Sequence, residues 1–190
     1  MNSPGILTAD KKYEESAFVL DFSPRGKSAV IKGREGPMIQ AIGEERLTLL
    51  ELLALDDQSF EVGERVKIGK EGREKIASVL GRLTYEELSP ESKGSLLPVV
   101  ETLVKANEGK FVIYFNDLQP LTPRLHGLEL IPGIGKTFML EIVQMREKQP
   151  FSSFEDIQQR VGLRDPAKMI ARRIIEELAG DSRVSLFVKK

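Results

Sequence analysis

Residues 130–137 read Leu130-Ile131-Pro132-Gly133-Ile134-Gly135-Lys136-Thr137 and lie between two segments with helical periodicity. The proline stops the incoming segment, because its ring removes a backbone donor and restricts the residue before it. Gly133 and Gly135 permit a tight turn with positive φ and let another backbone come close. Ile134 is expected to turn its side chain back between the flanking helices. The next helix then begins at Lys136 and Thr137 with its first N–H groups unbonded and its positive dipole end exposed. Such a terminus is an anion site suited to a phosphate.

This pattern resembles the hairpin of a helix-hairpin-helix motif, whose usual ligand is the sugar–phosphate backbone of DNA or RNA. Gly-Lys-Thr also ends the P-loop of nucleotide hydrolases, which needs a glycine five residues before its second glycine and a strand leading in. Leu130 stands at that position, and the approach over residues 122–131 reads as helix. The alternative is a plain αα-turn whose glycines serve packing.

A chain of 190 residues holds one large or two small domains. With 41% hydrophobic and 30% charged residues it has the composition of a soluble globular protein. The sequence has no cysteine, which removes disulfides, thiolate metal sites and cysteine nucleophiles. No apolar run approaches the length of a membrane span, and no basic-then-apolar leader opens the chain, so no membrane partner and a cytoplasmic address are expected. The net charge of −1 is not that of a strongly basic nucleic-acid binder. The charge is uneven, however. Residues 121–190 hold 12 Lys and Arg against 9 Asp and Glu, and residues 1–120 hold 16 against 20. A solvated surface explains so modest an asymmetry nearly as well as a ligand does.

Residues 1–12 carry no period and are expected to form a loose tail. Residues 13–88 then offer five short strand candidates: 16–22, ending at Ser23-Pro24-Arg25-Gly26; 38–42; 46–55, ambiguous between strand and helix; 62–69; and 76–85. Turn residues between them suggest a small barrel of the OB or SH3 type. Ser89-Pro90-Glu91 starts a helix, with serine as N-cap and proline at the first helical position. Helical spacing continues, with a break at Gly109, and residues 89–120 are read as bridging helices. Four short helices are expected over residues 121–182: 123–130, 136–148, one starting at Ser153 with Asp156 completing a capping box, and one starting at Asp165-Pro166 and running to Leu178. Residues 183–190 supply a final strand, added to the edge of the N-terminal barrel. The fold class is therefore α+β: a small N-terminal β-barrel followed by a helical C-terminal tandem helix-hairpin-helix domain. Its second hairpin, Val161-Gly162-Leu163-Arg164-Asp165-Pro166, is degenerate, because Arg164 stands near the place of a second glycine.

Over residues 13–188 the chain resembles an archaeal domain-of-unknown-function family (DUF655) predicted to bind nucleic acid. The landmarks are Tyr13-Glu14-Glu15 before Phe18-Val19-Leu20-Asp21, Val62-Gly63-Glu64-Arg65-Val66-Lys67-Ile68-Gly69, Arg124-Leu125-His126, residues 130–136, Pro150-Phe151-Ser152-Ser153-Phe154-Glu155-Asp156, and the second hairpin. The resemblance implies an OB-like barrel with a tandem helix-hairpin-helix domain, and a loose link to RNA or translation. It brings no activity. Met139 departs from the general hairpin pattern, which often has alanine there so that the helices cross closely.

The chemistry points to binding rather than catalysis. His126 is the single histidine and has neither cysteine nor an acid cluster nearby, so a packing role suits it better than a metal or catalytic one. Base-excision glycosylases carry an aspartate about twenty residues beyond a similar hairpin, where Asp156 falls. Asp156 is better explained by its capping box, and the all-helical body that would form a base pocket is missing. Tyr13, Phe18 and Phe22 are either a stacking platform or core. The expected function is a non-enzymatic nucleic-acid-binding protein without metal or cofactor, its partner the backbone of RNA, preferred, or DNA. Pro132, Gly133, Ile134, Gly135, Lys136 and Thr137 would hold a phosphate. Arg164, Lys168, Arg172 and Arg173 on the second hairpin, and Arg65 and Lys67 on the barrel, would add contacts, unless they are solvated surface. The alternative is a protein-interaction adaptor that docks to the translation or transcription machinery through a ribosomal or transcription protein.

Overall fold

The turn-punctuated first part of the chain forms a sheet and the rest forms helices. The computed structural model describes residues 13–189; the expected tail over residues 1–12 lies outside the described residues. The chain divides into two units, residues 1–83 and 84–190.

In the first unit all five strand candidates form: β1 (Ser16–Lys27), β2 (Glu35–Gly43), β3 (Leu49–Ala54), β4 (Arg65–Lys67) and β5 (Ile76–Arg82). They make one antiparallel sheet in the order β4-β1-β2-β3-β5, curled into a half-barrel. Its core gathers alternate residues of the strands, among them Ala17, Val19, Ile39, Ala41, Leu50 and Leu52. β1 does not end at Ser23-Pro24-Arg25-Gly26. It runs on to Lys27 through a register shift between Ser23 and Gly26, a bulge that absorbs the proline and bends the strand.

Two carboxylates fasten the turn between β2 and β3 to the entry of β1. Glu14 accepts the N–H groups of Glu45 (2.8 Å), Arg46 (3.0 Å) and Thr48 (3.2 Å), and Glu45 accepts that of Glu15 (3.0 Å). Burial, reinforced by the Glu45 carboxyl beside it, pushes the Glu14 pKa up to about 7.

Among its described residues the second unit has five α-helices. α1 (Pro90–Ala106) starts where the sequence indicates, with the Ser89 hydroxyl accepting the Ser92 N–H at 3.0 Å. α2 (Glu108–Asp117) follows, and the break falls at Asn107 rather than Gly109. α3 (Lys136–Lys148), α4 (Phe154–Val161) and α5 (Pro166–Leu178) complete the set. α1 packs along α5, so the helices read as a bridge belong to this unit.

Two segments depart from expectation. Residues 123–130 are not a helix. β6 (Pro120–Thr122) and β7 (Leu125–His126) pair antiparallel, and a single 3-10 turn, Gly127–Leu130, leads into the hairpin. Pro123 and Gly127 leave too few good residues to nucleate an α-helix. Gly127 also sits so close to Gln119 that a Cβ would lie 3.1 Å from its carbonyl oxygen.

Residues 183–189 form no strand. One oxygen of Glu177 accepts the N–H groups of Leu186, Phe187 and Val188, each at 3.0 Å. The Phe187 ring is buried edge-on to Tyr114, with centroids 4.6 Å apart, and lies 6.0 Å from Phe111. β-Propensity loses here because a buried carboxylate supplies the acceptors that a neighbouring strand would have offered. The other Glu177 oxygen takes Nε of Arg173 at 2.9 Å. The same guanidinium donates to the carbonyls of Leu130 (3.3 Å) and Val184 (2.6 Å).

Replacing Glu177 strands a buried guanidinium and three amides. We expect Glu177→Ala to destabilise the protein by about 3–5 kcal/mol, read by denaturant unfolding, and Glu141→Ala, at an exposed position of α3, to cost below about 0.5 kcal/mol. Equal effects would remove the central role assigned to Glu177. The Glu14 pKa in the fold lies above its unfolded value, so its contribution is full below about pH 4.5 and is lost as the pH rises through about 7. Melting temperature is expected to fall over that window by several degrees, about what 1 kcal/mol does in a small domain. Glu14→Gln should flatten the fall; an unchanged pH profile would contradict the assignment.

Candidate nucleic-acid interface

The hairpin between the 3-10 turn and α3 is anchored by two buried isoleucines, Ile131 and Ile134, with the Ile134 N–H donating to the Ile131 carbonyl at 3.0 Å. Ile134 thus points inward as expected. Pro132 is half-buried, and Gly133, Gly135, Lys136 and Thr137 are exposed. Gly133 has φ of 95°, and a Cβ on it would lie 2.9 Å from Cε of Met169 on α5. The left-handed backbone conformation is what selects glycine, since the Met169 contact is with the end of a flexible side chain that can shift aside.

Gly135 answers to a different constraint. It is the N-cap of α3 with ordinary extended backbone, φ −93°, and a Cβ there would meet nothing within 4 Å. No side chain caps this terminus, whereas serines cap α1 and α4. The first N–H groups of α3 therefore face open space with the positive end of the helix behind them.

Lys136 stands beside them with its side chain 72% exposed. Its Nζ lies 3.3 Å from an oxygen of Glu129 and 3.3 Å from the carbonyl of Arg124. Glu129 is the partner that sequence reasoning missed. It also accepts the His126 N–H at 2.8 Å, while Nδ1 of His126 accepts the N–H of Leu128 at 3.1 Å. The spacing His126-x-x-Glu129 is a capping box with histidine in place of serine, and that spacing was the available signal. The bond from His126, helped by Lys136, holds the Glu129 carboxyl below the usual range. Burial and then the Arg146 charge lower the His126 pKa, which keeps Nδ1 an acceptor.

The second helical pair is α4 and α5, joined through Gly162, in the left-handed region at φ 78°, and Asp165, at φ 49°. Arg164 and Arg172 are exposed and Lys168 is half-buried. Lys168 and Arg172 lie one turn apart on α5, next in sequence to the two residues that meet the hairpin, Met169 and Arg173. Arg173 is different: it is 5% exposed and its donors go to Glu177, Leu130 and Val184. The expectation that it lies on the surface is corrected; it positions the hairpin from behind.

Other cations are spent in the same way. Arg146 donates to the carbonyls of Phe115 (3.2 Å) and Leu118 (2.8 Å) at the end of α2, and Arg160 to those of Met145 (2.8 Å) and Gln149 (2.7 Å) at the end of α3. Asp156 pairs with Arg160 at 3.0 Å and accepts the Ser152 N–H at 3.0 Å, which holds its carboxyl low. Its own N–H goes to the Ser153 hydroxyl, so it is built into the start of α4.

In the first unit, Arg65 and Lys67 are exposed on either side of buried Val66 on edge strand β4, and Arg65 pairs with Glu44 at 2.7 Å. Phe18 is core and Phe22 packs edge-on to Phe60 at 5.0 Å, which leaves Tyr13 as the exposed member of that aromatic set. Among the described residues no group of three His, Asp or Glu could hold a metal ion, and no helix is long and apolar enough to cross a membrane.

Comparison with known proteins agrees with this architecture across nearly the whole chain. An uncharacterized protein of Methanocaldococcus jannaschii, MJ0038, is 41% identical over 181 residues, covering 94% of this chain and 82% of its own. The crystal structure of Af1531 from Archaeoglobus fulgidus superposes with a TM-score of 0.82 at 41% identity, covering 93% of this chain and all of that one. The model of a family described as a protein of unknown function, DUF655, matches residues 13–189, and the chain belongs to that family.

Proposed function

We propose that the protein binds nucleic acid without catalysing a reaction, gripping a backbone phosphate at the N-terminus of α3. The observation that carries this reading is the uncapped terminus itself: an exposed glycine at the N-cap, open space in front of it, and an exposed Lys136 beside it. Arg164 in the turn between α4 and α5, and Lys168 and Arg172 on α5, add cationic groups to this unit. In this reading the 3-10 turn with α3, and α4 with α5, act as a tandem helix-hairpin-helix pair. The half-barrel is read as an OB-like module, which favours RNA over DNA because such modules suit single strands. Phosphate contacts of this kind position a ligand without reading its sequence, so binding is salt-dependent and weakly selective.

Fluorescence anisotropy with single-stranded RNA, double-stranded RNA and double-stranded DNA, at low and moderate salt, tests the proposal. Lys136→Glu is expected to weaken binding about tenfold or more and to lower the salt slope by about one. Gly135→Asp separates binding from folding. An aspartate at an extended N-cap occupies the free N–H groups with its own carboxylate, so stability changes by only about 0.3 kcal/mol, while affinity falls. Unchanged affinity in both variants, or no binding to any probe at low salt, overturns the phosphate site and leaves a protein-docking adaptor as the reading to pursue.

A further inference from the structure

The half-barrel holds a cavity of about 680 Å³ on the side where the sheet is open. β4 and β5 are its two edges, and the cavity lies between the loop that leaves β4 and the strand β5. Its apolar wall is Leu50, Ile68 and Val79, the first two buried. Three guanidinium groups, Arg46, Arg73 and Arg82, also line it. Arg73 is fixed in place: Nε donates to the Ile68 carbonyl at 2.9 Å and Nη1 to that of Ala77 at 3.3 Å. A guanidinium held by two backbone bonds is a pre-oriented fork for an oxyanion.

Acids are present as well. Glu14, Glu15 and Glu71 line the same cavity, and Lys70 stands next to Glu71 on the loop. Glu14 is already spent on three backbone amides, and its raised pKa reduces its charge near neutrality. The cavity thus keeps a positive balance around an apolar wall. Tyr13, 77% exposed, adds an aromatic ring to its lining. A flat, weakly polar body with an anionic group fits that combination, and the volume is in the range of small-molecule sites.

We propose that this cavity binds a single nucleotide, its base against Leu50, Ile68, Val79 and Tyr13 and its phosphate on Arg73 and Arg82. The site is built from residues of the first unit alone, whereas α3 belongs to the second, and it goes beyond the function proposed above. The same chemistry has two sources, a free mononucleotide or one unpaired nucleotide of a single strand.

The test is amide chemical-shift titration of the full chain with AMP, UMP, adenosine, inorganic phosphate and a short single-stranded RNA, each also on Lys136→Glu so that the hairpin is silenced. Shifts at Ile68, Arg73, Val79 and Arg82 with AMP or UMP, stronger than with adenosine or phosphate alone, support a free nucleotide. Shifts at those residues with the RNA and not with mononucleotides support the strand as the source. Arg82→Glu, an exposed position, is expected to weaken the response about tenfold or more, and Tyr13→Ala to weaken it without unfolding. Absence of shifts at the cavity with every nucleotide at millimolar concentration, or shifts indifferent to both variants, overturns the proposal whatever happens at the hairpin.

Discussion

The second unit depends on one buried carboxylate. Glu177 gives an oxygen to Arg173 and the other to three consecutive backbone amides and the Ser185 hydroxyl. Burying a charge is tolerable only when nearly every lone pair and proton finds a partner, and here they do. The pair converts a segment with no regular structure into a fixed strap and fixes Phe187 among Phe111 and Tyr114. Through Arg173 it also holds the Leu130 carbonyl, one residue before the buried Ile131 that roots the hairpin. The exposed terminus of α3 owes its placement to charges that no ligand could reach.

That division of labour changes the meaning of the basic half of the chain. Arg146, Arg160 and Arg173 each bind backbone carbonyls, at helix ends or at the hairpin. Guanidinium suits this task, since it carries several donors in a plane and never loses its charge. The cations left facing outward near the hairpin are fewer than the sequence suggests, and they are those on the α3 terminus and the outer side of α5. A charge count treats all arginines alike; the fold does not.

Much of the fold was legible because its signals are local. Turn residues between the strands, the alternation in β4, Ser89 before Pro90, Ser153 before α4 and Pro166 at the head of α5 each act within a few residues. The turn geometry at Ile134 was legible for the same reason. The misreadings were of another kind. Residues 123–130 have helical spacing on paper, but a proline, a glycine and a close carbonyl leave only a 3-10 turn. Val184-Ser185-Leu186-Phe187-Val188 has strand propensity, and its fate was decided by a carboxylate on α5 about ten positions earlier. Arg172 and Arg173 are neighbours in sequence, yet one faces water and the other the interior. Only the rotation of α5 against the hairpin distinguishes them, and one sequence does not reveal it. Glu129 was overlooked because histidine is an unusual cap.

The open side of the half-barrel has a bearing on how the protein behaves in company. A sheet edge with unpaired N–H and C=O groups is a template on which another chain can lengthen the sheet. Here one edge is a strand of only three residues whose two outward positions are Arg65 and Lys67. The other edge, β5, meets β3 through two register shifts and ends at Arg82. Short length, repeated positive charge and an irregular ladder all oppose edge-to-edge stacking of like molecules. The sheet can therefore stay unclosed without offering a second copy a long, flat edge to extend.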